Sequence, residues 1–223
     1  IRRVIVRWVK LDVYDLFDDP EESVYQIGGN SFSENQNGLI YIPDFISVEE
    51  SINLIGYIEN QLWSSELNRR VQHYGYRYDY KSRNLDVSRG VLEIEEPFVA
   101  LLDTLTYELN ELGLKSRPNQ IIVNEYEVGQ GITWHIDSEK SFDDNIFIIS
   151  LLSDCLMKLE HKKTKEQLDV YLKKNSLLCL TKESRYDWRH TIPNTKSFVF
   201  KGKKFMRARR LSLTCRYIKN PLS

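Results

Sequence analysis

Ile132-Thr133-Trp134-His135-Ile136-Asp137 lies inside a long run in which apolar and polar residues alternate. The run opens after Pro118 and lasts almost to the C-terminus. A period of two is the signature of strands, whose successive side chains point to opposite faces. Strands are expected at 120–127, 132–137, 145–152, 154–160, 167–172, 176–181 and 209–218. Short connections such as Gly129-Gln130-Gly131 and Lys162–Lys165 separate several of them. Within the quoted stretch, His135 and Asp137 share one face. Trp134 and Ile136 share the other and are expected to face packing.

Upstream of Pro118 the pattern changes. Ser47-Val48-Glu49-Glu50 is a capping box, and Ile52, Leu54, Ile55, Ile58 and Leu62 follow at helical spacing. Pro97 opens a second helix with Phe98, Leu101, Leu102, Leu105, Leu109 and Leu112 along one side, and Gly113 ends it. Tyr74, Tyr76, Tyr78 and Tyr80 alternate, so 70–80 reads as one more strand. Residues 1–10 read as a short strand, and the acidic, then Gly/Asn/Ser-rich stretch 15–38 reads as a loop. Two early helices followed by many short strands predict an α+β chain, with helices packed on an antiparallel sandwich or barrel.

The 223 residues fit one domain with a small extension, and 13 Tyr, 9 Phe and 4 Trp supply a core. The net charge of −1 gives no global basic field that would steer the chain to nucleic acid. Lys201, Lys203, Lys204, Arg207, Arg209 and Arg210 do crowd together, and read as a solvated loop leading into a strand. Cys155, Cys179 and Cys215 are far apart, form no CxxC pair and sit in apolar runs, so they read as small core residues in a reducing, intracellular setting (cytoplasm or nucleus). Apolar stretches such as Ile146–Ile149 are far too short to span a bilayer, and no secretory leader is visible.

His135 and Asp137, joined by His190 at the end of Arg185-Tyr186-Asp187-Trp188-Arg189-His190, make two imidazoles and one carboxylate. That set is the facial triad of non-haem Fe(II) oxygenases, which leaves three metal positions open. H-x-D alone is common, and an isolated strand histidine is more often simply hydrogen-bonded. The last strand adds weight. Arg210, Ser212, Thr214 and Arg216 share one face, and Leu211, Leu213, Cys215 and Tyr217 the other. If the polar face points into a barrel, its two arginines demand anions. Asn124 and Tyr126 likewise point together and offer an amide and a phenol to a carboxylate.

The order N-x-Y, H-x-D, a distant H and R-x-x-x-x-x-R resembles the AlkB family of Fe(II)/2-oxoglutarate dioxygenases. Asn124–Ile132, Ser150-Leu151, Ser184-Arg185-Tyr186 and Leu213-Thr214-Cys215-Arg216 support it. The resemblance covers about residues 39–218. It implies a double-stranded β-helix, or jelly-roll, with flanking N-terminal helices, and a division into an extension at 1–38 and an oxygenase domain at 39–223. It implies Fe(II), 2-oxoglutarate and O2 as cofactors, with His135, Asp137 and His190 as iron ligands. Arg210 is similar to the partner of the distal 2-oxoglutarate carboxylate, Asn124 and Tyr126 to further cosubstrate contacts, and Arg216 to the residue near the keto-acid end and the Asp ligand. Ser212 stands where some members have Asn.

Asn68 to Tyr80 mixes arginine, histidine and tyrosine, and resembles the family's nucleotide-recognition lid. Arg69, Arg70, His73, Tyr74, Tyr76 and Tyr78 are the substrate candidates, since aromatic and guanidinium planes stack on bases. An amphipathic strand with tyrosines on a packed face is the plainer alternative. Glu139, two residues past Asp137, sits where some repair members read a base amino group; a solvated loop charge is the alternative. His161 is not expected to ligate. The implied activity is oxidative demethylation of alkylated bases in single-stranded DNA, RNA or tRNA by a monomer free of any membrane, releasing formaldehyde, succinate and CO2. The text of 69–80 and 124–142 is also similar to the branch that hydroxylates a modified tRNA wobble nucleoside. A protein-directed oxygenase and a non-catalytic binding module are the remaining alternatives.

Overall fold

The computed structural model describes residues 23–27, 30–34, 38–65, 67–79, 84–86, 91–114 and 117–219. In chain order the strands and helices are β1 (Ser23–Ile27), β2 (Asn30–Glu34), β3 (Leu39–Ile42), α1 (Val48–Glu59), β4 (Val71–Tyr74), β5 (Arg77–Asp79), β6 (Asn84–Asp86) and α2 (Phe98–Glu111). They continue as β7 (Gln120–Tyr126), β8 (Ile132–His135), β9 (Phe142–Leu151), β10 (Cys155–His161), β11 (Gln167–Leu172), β12 (Leu177–Leu180) and α3 (Lys182–Tyr186). The last four are β13 (Trp188–Ile192), β14 (Ser197–Phe200), β15 (Lys203–Met206) and β16 (Arg210–Ile218).

An eight-stranded sheet in the order β1-β2-β3-β12-β9-β16-β7-β4 forms the major layer, and a four-stranded sheet, β11-β10-β13-β8, the minor one. Alternation along each strand builds two cores. Phe147 and Ile149 of β9, Leu211, Leu213 and Cys215 of β16, and Ile121 and Val123 of β7 meet Leu54 and Ile58 of α1 and Phe98, Leu102 and Leu105 of α2. Ile146 and Ile148 of β9 and Tyr126 of β7 face the other way, onto Met157, Leu159, Trp188 and Ile192 of the minor sheet. The middle of the major sheet is therefore apolar toward its helices, while Gln72 of β4 donates to Ile58 O of α1 at 2.9 Å on the same side. Toward the minor sheet β16 breaks that rule, because Arg210, Ser212, Thr214 and Arg216 all lie buried there. Those four residues line the gap between the layers. The polar side of β16 thus points inward, as a barrel requires.

Both long helices form where their signals lie. Ser47 Oγ accepts from Glu50 N at 3.1 Å while Glu50 Oε2 accepts from Ser47 N at 2.8 Å, closing the box that starts α1. Of the expected α1 stripe, Leu54 and Ile58 are buried, but Ile52 is 63% exposed and Leu62, beyond the helix, 86%. Leu112 of the α2 stripe packs only partly. All three cysteines are free and buried, as expected.

Several expectations need correction. Residues 23–27 and 30–34 form an antiparallel pair within the expected 15–38 loop, and Ser33 and Glu34 pair with Tyr41 and Ile40. The major sheet therefore continues across the boundary drawn at residue 38. The expected strand at 1–10 and Tyr80 lie outside the described residues. The 70–80 strand is two strands, because Gly75 sits at φ +76° and a Cβ there would meet Asn119 O at 2.1 Å. The Lys201–Arg210 stretch is not a loop: β15 pairs with β14, and Phe205 stacks on Phe198 with ring centroids 5.3 Å apart. Arg207 is buried, donating to the carbonyls of Pro193 and Thr195 at 2.8 and 3.0 Å, so of the basic residues in that stretch the lysines are the exposed ones. Among the described residues no helix is long and apolar enough to cross a membrane.

Candidate active site

A cavity of about 600 Å³ opens between the sheets, lined among others by Asn124, Tyr126, His135, Asp137, His190 and Arg216. Strand pairing builds its ligand-bearing wall. His190 of β13 lies directly opposite His135 of β8, and the two ring centroids are 4.3 Å apart. The close approach needs Gly131, where a Cβ would stand 2.1 Å from Ile192 O. His135 Nδ1 lies 2.8 Å from the Thr133 carbonyl. That contact places a proton on Nδ1 and leaves Nε2 with a lone pair, the arrangement common to metal-bound histidines. His190 is buried, and its Nδ1 has no hydrogen-bond partner among the described residues. Burial, and then His135, push its pKa down to about 3, so its ring is neutral and able to donate a lone pair.

The strand ends at His135, so Asp137 is held by its surroundings rather than by strand geometry. Arg216 Nη2 donates to Asp137 Oδ1 at 2.7 Å. Burial alone would raise this carboxyl's pKa. Arg216 first, then His190, His135 and Arg185, overcome it and hold Asp137 ionised far below the usual carboxylate range. With its carboxylate turned onto Arg216, Asp137 does not complete an enclosed shell. Among the described residues no three His, Cys, Asp or Glu side chains stand ready to hold an ion. The three donors are neighbours on one wall.

The floor of the cavity comes from β7 and β16. Ser212 faces Asn124 and Arg210 faces Tyr126 across that pair. Arg210 is only 1% exposed; its Nη2 donates to Ser150 Oγ at 2.8 Å, and its guanidinium lies 5.7 Å from the Tyr126 ring centroid. Nε and Nη1 of both Arg210 and Arg216 have no hydrogen-bond partner among the described residues. Buried guanidinium donors of this kind are costly unless an anion satisfies them.

The substrate candidates separate. Arg69 lines the cavity, donates to Asn124 Oδ1 at 2.9 Å and sits 5.6 Å from the Tyr126 ring centroid. Tyr78 also lines it, 5.3 Å from Phe142. Arg70 instead turns to Glu125, at 2.5 and 2.7 Å, and over Trp63. Tyr74 is fully buried on the helix side against Phe98, at 4.6 Å, because strand parity sends it away from the cavity. His73 is buried in β4, and Tyr76 is partly packed against the inter-sheet core; neither lines the cavity. Glu139 is exposed outside the lining. Trp134, expected in packing, is 37% exposed and lies under Arg189, 5.1 Å from its guanidinium. His161 bonds Thr164 and Glu183, as befits a non-ligand. Leu67 and Met157 complete lining that the sequence reading did not include.

Residues 38–216 match the model of the 2OG-Fe(II) oxygenase superfamily. The chain belongs to that superfamily. Its cofactors are Fe(II), 2-oxoglutarate and O2, and its members are oxidoreductases. The chain is 32% identical over 206 residues to the "Alkylated DNA repair protein ALKBH8 homolog" of Arabidopsis thaliana, covering 83% of this chain and 60% of that protein. It is 36% identical over 166 residues to the "tRNA (carboxymethyluridine(34)-5-O)-methyltransferase ALKBH8" of Macaca fascicularis, covering 70% of this chain and 24% of that one. The chain thus spans less than two thirds of the length of both relatives. The solved structure of OsALKBH1 superposes with a TM-score of 0.67 at 16% identity, over 83% of this chain and 99% of that one, which shows the shared jelly-roll fold. The chain is also 30% identical over 200 residues to the "Alpha-ketoglutarate-dependent dioxygenase alkB homolog 7, mitochondrial" of Bos taurus, covering 85% of this chain and 82% of that protein, which places the oxygenase in the AlkB family.

Proposed function

We propose that this chain is the catalytic domain of an AlkB-type dioxygenase that oxidises an alkyl group on a nucleic-acid base. The observation that carries the reading is one cavity walled by two facing histidines and an ionised aspartate, beside buried guanidinium N–H groups of Arg210 and Arg216 that have no hydrogen-bond partner among the described residues. That donor set fits Fe(II), and the unsatisfied arginines fit a dicarboxylate. His135, Asp137 and His190 hold the metal, with the Asp137 carboxylate supplying its second oxygen or rotating off Arg216. Arg210 takes the distal carboxylate of 2-oxoglutarate with Ser150 beside it, and Asn124, Tyr126 and Arg216 complete the cosubstrate site. Bound there, Fe(II), 2-oxoglutarate and O2 supply the oxidation of a C–H bond, with succinate and CO2 as products.

The protein's share is placement. Arg216 keeps Asp137 ionised, the Thr133 carbonyl fixes the His135 tautomer, and the apolar walls Ile148, Met157 and Ile192 exclude water. Arg69 and Tyr78 are the lining residues that present a guanidinium and a phenol ring to a base. A base must leave its stack to enter such a cavity, so single strands, loops and tRNA are the accessible substrates. Residues 39–223 carry the oxygenase site in this reading, with β1 and β2 extending the major sheet beyond them, and the domain works as a monomer inside the cell.

Two outcomes follow from one chemistry. Oxidation of an N-methyl group gives a hemiaminal that sheds formaldehyde, and this is the main reading. A stable hydroxylated tRNA nucleoside is the second, favoured by the likeness to the macaque tRNA-modifying relative. Methylated DNA, RNA and tRNA oligonucleotides, followed by mass spectrometry with succinate and formaldehyde measured in parallel, decide between them. Matched succinate and formaldehyde establishes demethylation. Succinate with a +16 Da nucleoside and no formaldehyde establishes the second. Turnover on peptides alone rejects both.

A further inference from the structure

Arg185, in the short helix α3, is 1% exposed and makes no ion pair to a carboxylate among the described residues. Its three nitrogens go to backbone carbonyls instead. Nη1 donates to Asp137 O at 2.9 Å, Nη2 to Ser138 O at 3.1 Å and Nε to Asp143 O at 3.2 Å. Its neighbours serve the same region. Tyr186 OH bonds the Asp144 carboxylate, and the Arg185 guanidinium lies 5.1 Å from the Tyr186 ring. Ser184 Oγ donates to Gly38 O at 3.1 Å and ties α3 to the start of β3.

The segment so gripped is irregular. Between the end of β8 and the start of β9 it carries Asp137, and its internal bonds are Ser138 Oγ to Ser141 Oγ at 3.0 Å, Ser141 N to Ser138 Oγ at 3.3 Å and Phe142 N to Ser138 O at 3.1 Å. Nothing in strand pairing fixes Asp137, as β13 pairing fixes His135. A planar fork with donors on both edges can hold three carbonyls at once in a set geometry, which a lysine ammonium cannot reproduce. We propose that Arg185 is a positioning residue for the Asp137 carboxylate. It freezes the Asp137–Asp143 segment so that Asp137 meets His135 and His190 at the metal. The inference rests on the metal site proposed above.

The test uses the whole chain, free of iron, and Co(II) as the probe. Wild type, R185K, R185M and Y186F are compared for Co(II) affinity, for the visible Co(II) absorption bands, and for the urea midpoint of the metal-free protein. Outer partners of metal ligands typically govern affinity by about 10- to 100-fold. The expected result is Co(II) binding weakened by at least about tenfold in R185K, with shifted bands. Y186F, which loosens α3 without touching the Asp137 carbonyl, keeps both the affinity and the bands. Unchanged affinity and bands in R185K, with only a lower urea midpoint, overturn the proposal and leave Arg185 a structural residue. Equal losses of affinity in R185K and Y186F overturn it too, since α3 as a whole is then responsible. R185M leaves three carbonyls without a donor. Should it fail to fold, R185K and Y186F decide alone. If wild type itself binds no Co(II), the metal-site reading fails, an outcome distinct from an unaltered R185K.

Discussion

Arg210 holds a permanent charge at 1% exposure with one hydroxyl as its hydrogen-bond partner among the described residues, a placement that calls for an anion beside it. R210M should raise the 2-oxoglutarate dissociation constant about 10- to 100-fold, the scale of a lost charge-assisted hydrogen bond. Calorimetry on the Mn(II)-loaded protein measures this, and metal affinity should stay as in wild type. Acidification acts on two other residues. Burial, then Arg216, push His73 down to about 4, and burial, then His135, push His190 down to about 3. Both histidines therefore bind protons more weakly when folded than when unfolded. The stability they contribute is complete above about 6.5, the ordinary imidazole value, and is lost as pH falls toward 4 and 3. Urea titrations of the metal-free protein at pH 7, 6 and 5 should show this decline. H73Q should make it shallower by about one proton, near 1.4 kcal/mol per pH unit.

At the scale of elements, Glu125 fastens β7 to its surroundings. Arg70, Arg209 and Glu59 of α1 meet around it, with Arg209 Nη1 2.6 Å from Glu59 and Arg209 Nη2 2.6 Å from Glu125. Arg70, ahead of Arg209, holds the Glu125 carboxyl below its ordinary range. Its stabilisation is thus present above the unfolded carboxylate value and disappears as pH falls through the lower folded one. E125Q should cost about 1–2 kcal/mol at pH 7, between exposed and buried pairs, and should flatten the acid limb of the stability curve. Much of this layer could be read from the text. β16 alternates so regularly that its two faces were legible, down to the inward Arg210 and Arg216, whereas Ile146–Ile149 of β9 is apolar on both faces and marks a strand without marking its sides. β14 and β15 were hidden because Lys201, Lys203 and Lys204 mask the aromatic pairing of Phe198 with Phe205. Arg185 stood in a recognisable motif, yet its task was invisible, because backbone carbonyls brought together by folding leave no mark in sequence. Tyr74 was misjudged because alternation gives two faces without saying which one meets a helix.

For the whole molecule, a metal held as proposed would tie the two layers together: His135 and His190 belong to the minor sheet, while Arg216 of the major sheet holds Asp137. Mn(II) at about one hundred times its dissociation constant should add about 2.7 kcal/mol to stability, and a chelator should remove that gain. Guanidine melts with and without chelator measure it. The sulfurs report on the same unit from within. Cys179 and Cys215 lie in the helix-side core and Cys155 in the inter-sheet core, each at no more than 1% exposure. A thiol reagent cannot reach any of them while either core is closed, so modification in the native protein is a clock for opening. If the layers part together, all three should react at a single rate, slowed in common by metal. A Cys155 that reacts ahead of the other two would reveal that the gap between the sheets breathes on its own, admitting solvent without unfolding the rest.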